Sequence, residues 1–444
     1  MSASHTTTAP RANLRVVPGL GLIDFESAGL PVVLADKVEG ELEVFAAHMR
    51  HGLLSAAINV GLDVFSQLLQ AEVTEVAGQK GRHDPARRAV RHGTESAKVP
   101  LGGRMVALTK PRVCDADGSG EIRLETWTAL ADRELLDRHT LVSMLAGVST
   151  RNYATVLEPI GAVLEQDSSS TSKSAISRRF VGATRKRLAE FRSRDLSKQR
   201  FLVVYVDGFG LADEALVGAL GVDDTGTKVP LALVHGTTEN KACCKKLLDD
   251  LEDRGFSAAA GVLFVVDGGK AIYHAVKDKW GDTAFIQRCR QHKCRNITDL
   301  LPQSHHSWVR QELNRAWAMT DPDDAERALR SLAAKIERTH PDAATSLREG
   351  LLDTIAINRL RVTGTLAKTL ATTNPIESTI DIVKAHARNV KRWQPGDMRL
   401  RWAAAGMIAA ESQYRRVKGF RQLDHLSAAI SAELQRRAAL PEAS

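Results

Sequence analysis

Apolar residues in this chain recur with two different spacings, and the change from one to the other divides it. Over residues 40–76, Leu42, Val44, Phe45, Met49, Leu53, Leu54, Ile58, Leu62, Phe65 and Leu69 return every three or four positions, which predicts one long or two shorter amphipathic helices. Residues 98–112, with Gly102-Gly103 in the middle, predict a β-hairpin. Residues 131–146 are helically periodic and stop at Gly147; Ser149 is placed to cap a helix over 150–158, Gly161 opens a polar break, and a last helix starts near Ser172. From Phe201 the runs shorten. Phe201-Leu-Val-Val-Tyr-Val-Asp207-Gly208 and Val262-Leu-Phe-Val-Val-Asp267-Gly268 are β-branched and aromatic runs closed by Asp-Gly, the pattern of buried strands whose chain turns out of a sheet. Between them, residues 215–222 and 229–234 flank a polar turn and predict a hairpin. Residues 239–254, with Leu247, Leu248 and Leu251 on one face and Gly255 as the stop, predict a helix.

Beyond Asp267 the pattern predicts a helix over 270–280 and a short strand over 284–288. Residues 307–360 are helical throughout, with Trp308, Leu313, Trp317, Leu329, Leu332, Ile336, Leu347 and Leu351 on the apolar side and Asp321-Pro322 and His340-Pro341 as breaks. Thr373 or Asn374 then caps a helix running to about residue 390, with Pro375 in its first turn and Glu377 near its N-terminal end. The expected plan is a loose tail over 1–20, a helical segment over 21–80 for dimerisation or DNA binding, and a basic stretch and hairpin over 81–130. A helix-turn-helix-like DNA-binding domain follows over 131–200. A core in two parts, 201–306 and 366–425, is split by a helical insertion over 307–365, and a tail occupies 426–444.

The 444 residues carry a formal net charge of +8, which favours an anionic partner and says nothing about fold. The five cysteines are too few and too unevenly spaced for a disulfide framework, so a reducing, cytoplasmic setting is expected. No uninterrupted apolar run reaches the roughly 20 residues of a membrane span, and no membrane partner is expected.

Asp207 and Asp267, at the ends of neighbouring strands, would place two carboxylates at one sheet edge, the outline of a metal site that needs a third acid. Glu377 is the candidate and Asp381, one turn later, its competitor; helix position does not decide between them, and a first-turn Glu also complements the helix dipole. Cys289 and His292, with Cys294 and the His305-His306 pair nearby, lack the spacing of a four-ligand zinc site and suggest a structural cluster beside the acids instead. Asp115, Asp117 and Glu121 resemble the start of a calcium loop without its later positions. Residues 173–200 hold ten Lys or Arg against two acids, an excess suited to phosphate neutralisation. In that segment Ser174, Ser177, Arg178 and Arg179 would face base edges and Arg185 and Lys186 the backbone. Arg288 and Arg295 flank the Cys-His pair. Lys384, Arg388, Lys391, Arg392, Arg399 and Arg401 form a second basic series, with Trp393 and Trp402 available to stack on an unpaired base.

The order strand, strand, strand, helix, strand, with Asp closing the first and fourth strands, is that of a ribonuclease-H-like nuclease core. The fold expected is therefore α/β, interrupted by an all-helical insertion and preceded by mainly helical DNA-binding domains. More specifically, the chain resembles the bacterial branch of the Mutator superfamily of insertion-sequence transposases, which use an Asp, Asp, Glu site with a helical insertion before the Glu. The likeness lies in Tyr205-Val-Asp207-Gly208; in Gly236-Thr-Thr-Glu239-Asn240 with Leu248, Leu251 and Arg254-Gly255; and in Val266-Asp267-Gly268. It continues in Gln287-Arg288-Cys289 with His292 and Arg295-Asn296, and in Thr372-Thr373-Asn374-Pro375-Ile376-Glu377-Ser378. It covers most of the chain from about residue 90. After Ser378 this chain has Thr379-Ile380-Asp381 where the family usually has an apolar residue and then Asn.

The resemblance implies a DNA substrate, the element's terminal inverted repeats together with target DNA, and a homodimer handling two ends. The chemistry expected is metal-dependent cleavage that frees a 3′-hydroxyl, followed by joining of that hydroxyl to DNA. Two Mg²⁺ ions, with Mn²⁺ as a substitute, would be held by Asp207, Asp267 and Glu377, with Asp207 bridging. The alternatives are a ribonuclease-H-like nuclease or resolvase that cuts without joining, and a non-catalytic sequence-specific DNA-binding protein.

Overall fold

The computed structural model describes residues 49–82 and 87–439 in full, and the backbone course of 14–17, 21–24 and 32–48. The expected tail over 1–20 and the residues after 439 fall largely outside the described residues. Two compact units divide the chain. One comprises residues 1–143 and 148–180, the other 144–147 and 181–444.

In the first unit the periodic stretch is a single helix, α1 (Val32–Ala77). Its last turns bury Leu69, Val73 and Ala77 against Ala89, Val99, Val113 and Trp127. The Glu72 carboxylate accepts the backbone N–H groups of Glu125 and Thr126, at 2.6 and 3.0 Å, and so caps the short helix Glu125–Leu130. Earlier turns leave Met49, Leu53, Val60, Val64 and Leu68 exposed. Counting uninterrupted runs overlooks this segment: Met49–Ala77 is apolar and long enough, by length and composition, to cross a membrane, although Arg50, Asp63, Glu72 and Glu75 interrupt it. The hairpin is longer than expected, β1 (Ala89–Leu101) pairing antiparallel with β2 (Arg104–Asp115). The acidic loop after β2 is a turn in which Asp115 accepts from Ser119, and Glu121 pairs with Lys110 and Arg112.

Helix α2 (Glu134–Leu145) ends before Gly147 as expected. The helix expected over 150–158 does not form. Only the 3₁₀ turn Tyr153–Val156 is present, because Tyr153 is fully buried with its hydroxyl 2.9 Å from His139 Nδ1 and 3.1 Å from Thr140 Oγ1. That anchor overrides local helical preference. Beyond Gly161, where a break was expected, lies the short helix Ala162–Gln166. The intervening turns make the connection to α3 (Lys173–Arg192) much longer than the tight turn of a helix-turn-helix.

The second unit is built on a five-stranded mixed sheet. Its strands are β3 (Phe201–Leu211), β4 (Glu214–Asp223), β5 (Lys228–His235), β6 (Val262–Val266) and β7 (Ala284–Arg288), in the order β5-β4-β3-β6-β7. The first three pair antiparallel, whereas β6 lies parallel to both β3 and β7. Such parallel strands must be covered on both faces, which is why β6 is apolar at every position. One face carries α4 (Lys241–Asp253), capped by Asn240, and α5 (Lys270–Trp280); Cys244, Leu247, Leu248, Leu251, Ile272 and Val276 join the sheet's core.

After β7 come α6 (Arg290–Thr298), α7 (Gln303–Trp317), α8 (Pro322–Glu337) and α9 (Pro341–Arg348), a helical insertion with its own apolar core of Leu313, Leu329, Ile336 and Leu347. Asp321 caps α8 and Pro322 begins it, so the Asp-Pro break is a helix start. Polar side chains tie the insertion to the sheet edge. Gln287 donates to the Thr354 carbonyl and accepts from Ile357 N–H, and the fully buried Lys293 donates to the carbonyls of Ser346 and Glu349. The chain returns through α10 (Gly364–Leu370), α11 (Asn374–Ala387) and α12 (Met398–Glu411) to the opposite face of the sheet. Gly406 lies against Val383, 3.1 Å from where its Cβ would be, so α11 and α12 approach closely only because a glycine stands there. The expected tail over 426–444 is instead helix α13 (Leu423–Ala439), with Leu423, Leu426 and Ile430 buried.

Candidate active site

The parallel register pairs Tyr205 with Val265 and Val206 with Val266, so Asp267, just past the end of β6, stands beside Asp207. The first run does not close at Asp207-Gly208 as expected, because β3 stays paired with β4 as far as Leu211 and Asp207 lies opposite Gly218. Asp207 is 7% exposed and its Oδ1 accepts the Gly208 N–H at 2.9 Å. Asp267 is held by two donors: Gly269 N–H to Oδ1 at 3.0 Å and Thr238 Oγ1 to Oδ2 at 2.8 Å. Gly268 between them has φ of +104°, and a Cβ there would fall 2.1 Å from Arg288 Nε. Only glycine satisfies both the left-handed backbone and that close approach.

Glu377 lies in the first turn of α11, which packs on the sheet. Its charge acts on Asp207, whereas Asp381, one turn later, is exposed. Thr373 does not cap the helix through its side chain. Its hydroxyl lies 2.6 Å from Glu377 Oε1 and 3.4 Å from both Cys289 Sγ and His292 Nδ1. With one proton to give, the hydroxyl donates to the nearest of these acceptors, the carboxylate. His292 Nε2 is 3.9 Å from the same oxygen.

The electrostatics follow from these distances. Burial, then the Asp267 charge, raises the Asp207 pKa to about 7; His292 and the Gly208 N–H oppose the rise and Glu377 adds to it. His292 is raised to about 9, first by its hydrogen bond with Cys289 and against burial, then by Asp207 and Glu377. Burial pushes the Cys289 thiol up, but hydrogen bonds from His292 and from the Thr373 backbone outweigh it and leave the thiol lowered. The raised pKa of His292 favours its protonated form beside Asp207 and Glu377. Cys294 stands apart from it against Arg310, and His306 is turned to the Leu301 carbonyl. Among the described residues no group of three or more His, Cys, Asp or Glu side chains is arranged to hold a metal ion, so Asp207, Asp267 and Glu377 do not form a ready-made metal cluster.

The basic candidates divide sharply. Ser174, Ser177, Arg178, Arg185, Lys186, Arg295, Lys384, Arg388, Lys391 and Arg392 are exposed. Arg179 is turned inward, donating to Thr140 Oγ1 and the Ser170 carbonyl, and so does not face base edges. Arg288 is buried and donates to the Glu349 carbonyl. Arg399 pairs with Asp213 and Glu214, and Arg401 with Asp397; both are buried. Trp393 is half-buried against Trp402, with the Arg399 guanidinium 5.7 Å from its ring centroid. Thr238 and Thr373 are the functional candidates that spacing alone misses. Both stand inside motifs that the sequence singles out, but a hydroxyl aimed at a carboxylate leaves no pattern of its own.

Comparison with known proteins agrees with this picture. The family profile described as "Transposase, Mutator family" matches residues 37–403. The transposase for insertion sequence element IST2 of Acidithiobacillus ferrooxidans is 28% identical over 176 residues, 40% of this chain and 58% of that protein's length. The transposase for insertion sequence element ISRM5 of Rhizobium meliloti (strain 1021) is 27% identical over 311 residues, 67% of this chain and 73% of that protein.

Proposed function

The chain belongs to the Mutator family of transposases, and from that premise we propose that it binds the terminal inverted repeats of an insertion sequence, cleaves their 3′ ends and joins the freed hydroxyl to DNA. The observation that supports the reading is the parallel register of β3 and β6, which sets Asp207 beside Asp267, with Glu377 in the first turn of α11 adding its charge to an Asp207 that burial, first, and Asp267 raise to about 7. The sheet order, three antiparallel strands followed by two parallel ones, supports a ribonuclease-H-like core.

Three carboxylates form a hard oxygen donor set, and a buried Asp207 whose pKa is raised by burial and then by Asp267 is short of positive charge; both fit Mg²⁺, or Mn²⁺ in its place. When bound, two such ions would supply the charge that stabilises the attacking and leaving oxygens. Asp207 would bridge and Asp267 and Glu377 would each hold one ion. Asp267 is already oriented by Thr238 and Gly269, whereas Glu377, oriented by the single Thr373 hydroxyl, has to turn about that contact to engage. His292 is placed to offset the negative charge until it does so. Handling two ends at once calls for a homodimer on double-stranded DNA. In the test, Asp207→Asn retains binding to the terminal repeats and loses both cleavage and transfer of pre-cleaved ends. Persistent strand transfer by that variant would refute the assignment, and cleavage by the native chain without transfer would mark it as a nuclease.

A further inference from the structure

Where the helical insertion meets the sheet-bearing core there is a cleft of about 820 Å³, walled by α6, α7, residues 357–364 and α10. None of the residues lining it is acidic. Arg295, Arg310, Arg361 and Lys368 stand exposed around it. Among the described residues, only Arg361 of these four has a carboxylate within ion-pairing distance, Asp321 at 4.0 Å. A fifth cation, Arg290, is fixed in the wall: its guanidinium lies 5.6 Å from the Trp317 ring centroid and donates to the Thr354 carbonyl at 2.8 Å. The rest of the lining is largely apolar, with Met319, Ile357, Val362, Ala367 and Ala371. At one end the lining includes Gln291 and Thr372, the sequence neighbours of His292 and Thr373, so this end adjoins the groups that hold Glu377.

Like charges gathered around one volume, with almost no acid to balance them, are stable together only if an anion answers them. On the reading of the neighbouring carboxylates as a DNA-cleaving centre, on which this inference rests, we propose that the cleft holds an unpaired DNA strand next to the scissile phosphodiester. Its volume lies in the range of small-ligand pockets, roughly 300–1,000 Å³, which admits a nucleotide or two of single strand and is too narrow for a duplex. The cationic rim faces the phosphates, and the apolar lining takes the base faces that an unpaired strand exposes. The exposed series Lys384, Arg388, Lys391 and Arg392 has no such lining and suits duplex backbone.

The test uses the full chain in EDTA, with a fluorescein-labelled single strand of mixed sequence and the matching duplex, read by fluorescence anisotropy over a salt series. Replacing three rim charges together (Arg310→Gln, Arg361→Gln and Lys368→Gln) is expected to weaken single-strand binding on the order of 10- to 100-fold near 0.1 M salt. The log–log salt slope should fall by about 2, since each lost contact to a single strand removes about 0.7, and duplex affinity should change by less than about threefold. Exchanging the same positions Arg→Lys and Lys→Arg should preserve binding. If the triple variant melts early, Arg310→Gln and Lys368→Gln are measured singly, each expected to lower the slope by about 0.7. An unchanged single-strand affinity and slope would overturn the proposal, as would equal losses on both DNAs, which would describe a general phosphate surface. No step requires cleavage. Failure of the strand-transfer assay would therefore count against the catalytic reading alone.

Discussion

The two strand-borne acids and the helix-borne acid are held by different means. Asp207 lies within β3 and Asp267 directly follows the adjacent parallel strand β6, and each accepts a backbone N–H within two residues of itself. Their positions follow from the sheet register and cannot change without moving the core. Glu377 reaches the same edge on a helix, and Thr373 Oγ1 at 2.6 Å is the contact that orients its carboxylate. A side chain held by one hydroxyl can turn; one held by a sheet cannot. On the reading proposed above, the strands would form the fixed part of the site and α11 the part that completes it.

The strongest way to break this comparison is to remove each acid in turn. Asp207→Asn, Asp267→Asn and Glu377→Gln should each lower strand cleavage by ~10³-fold or more, about 4 kcal/mol of transition-state stabilisation. Asp381→Asn, on the exposed side of the same helix, should leave the rate within about twofold. Cleavage assays on a pre-nicked and an intact end would read all four. An Asp381 variant as defective as the Glu377 variant would mean that the wrong acid has been assigned to the site.

Asp207→Asn should also make the cation-free protein more stable, because the fixed acids repel each other. The carboxyl titrates near 3.8 when unfolded and near 7 in the fold, where burial and Asp267 oppose its ionisation. Between those values the native state holds more protons than the unfolded state, so stability declines as pH rises through that window. The amide removes a penalty that is absent below about pH 4 and complete above about pH 7, on the order of 2–4 kcal/mol. Thermal melts in EDTA should therefore show a gain of several degrees at pH 8 that vanishes near pH 4. A gain that did not depend on pH would point to repacking instead.

Thr373→Val tests the helix side of the comparison. Loss of the hydroxyl leaves Glu377 without its orienting donor, and kcat should fall about 10- to 100-fold while Kd for the terminal repeats stays the same. Thr373→Ser should restore most of the rate. A defect in binding rather than turnover, or one that Ser does not rescue, would give Thr373 a packing role only.

What was legible in the sequence follows the same division. The strands could be read because a short β-branched run is a local signal, and the insertion because Asp321-Pro322 and a long unbroken helical period are local too. Asp-Gly marks the end of β6 but not of β3, which its pairing with β4 carries on to Leu211. Features decided by a distant contact could not. Residues 150–158 read as helical until Tyr153 is seen buried against His139 and Thr140. Arg179, Arg288, Arg399 and Arg401 look like their exposed neighbours in a string of basic residues, and only the fold turns them inward. Helix α13 was within reach, since Leu423, Leu426 and Ile430 carry a helical period in a stretch taken for a tail. The choice between Glu377 and Asp381 required the packing of α11 on the sheet.

Thr238 gives the smallest effect and the sharpest contrast. Like Thr373 it donates to a site carboxylate, at 2.8 Å, but the acid it serves is also held by the Gly269 N–H and by the end of β6. If strand-borne acids are positioned by the backbone, Thr238→Val should cost only about 3- to 10-fold in kcat, near 1 kcal/mol and less than Thr373→Val. The rates are compared at matched thermal stability, because Thr238 is buried and its carbonyl also accepts from Ile272 N–H. A Thr238 effect as large as that of Thr373 would show that Asp267 depends on its side-chain donor as much as Glu377 does, and the distinction between a fixed half and a turning half of the site would be lost.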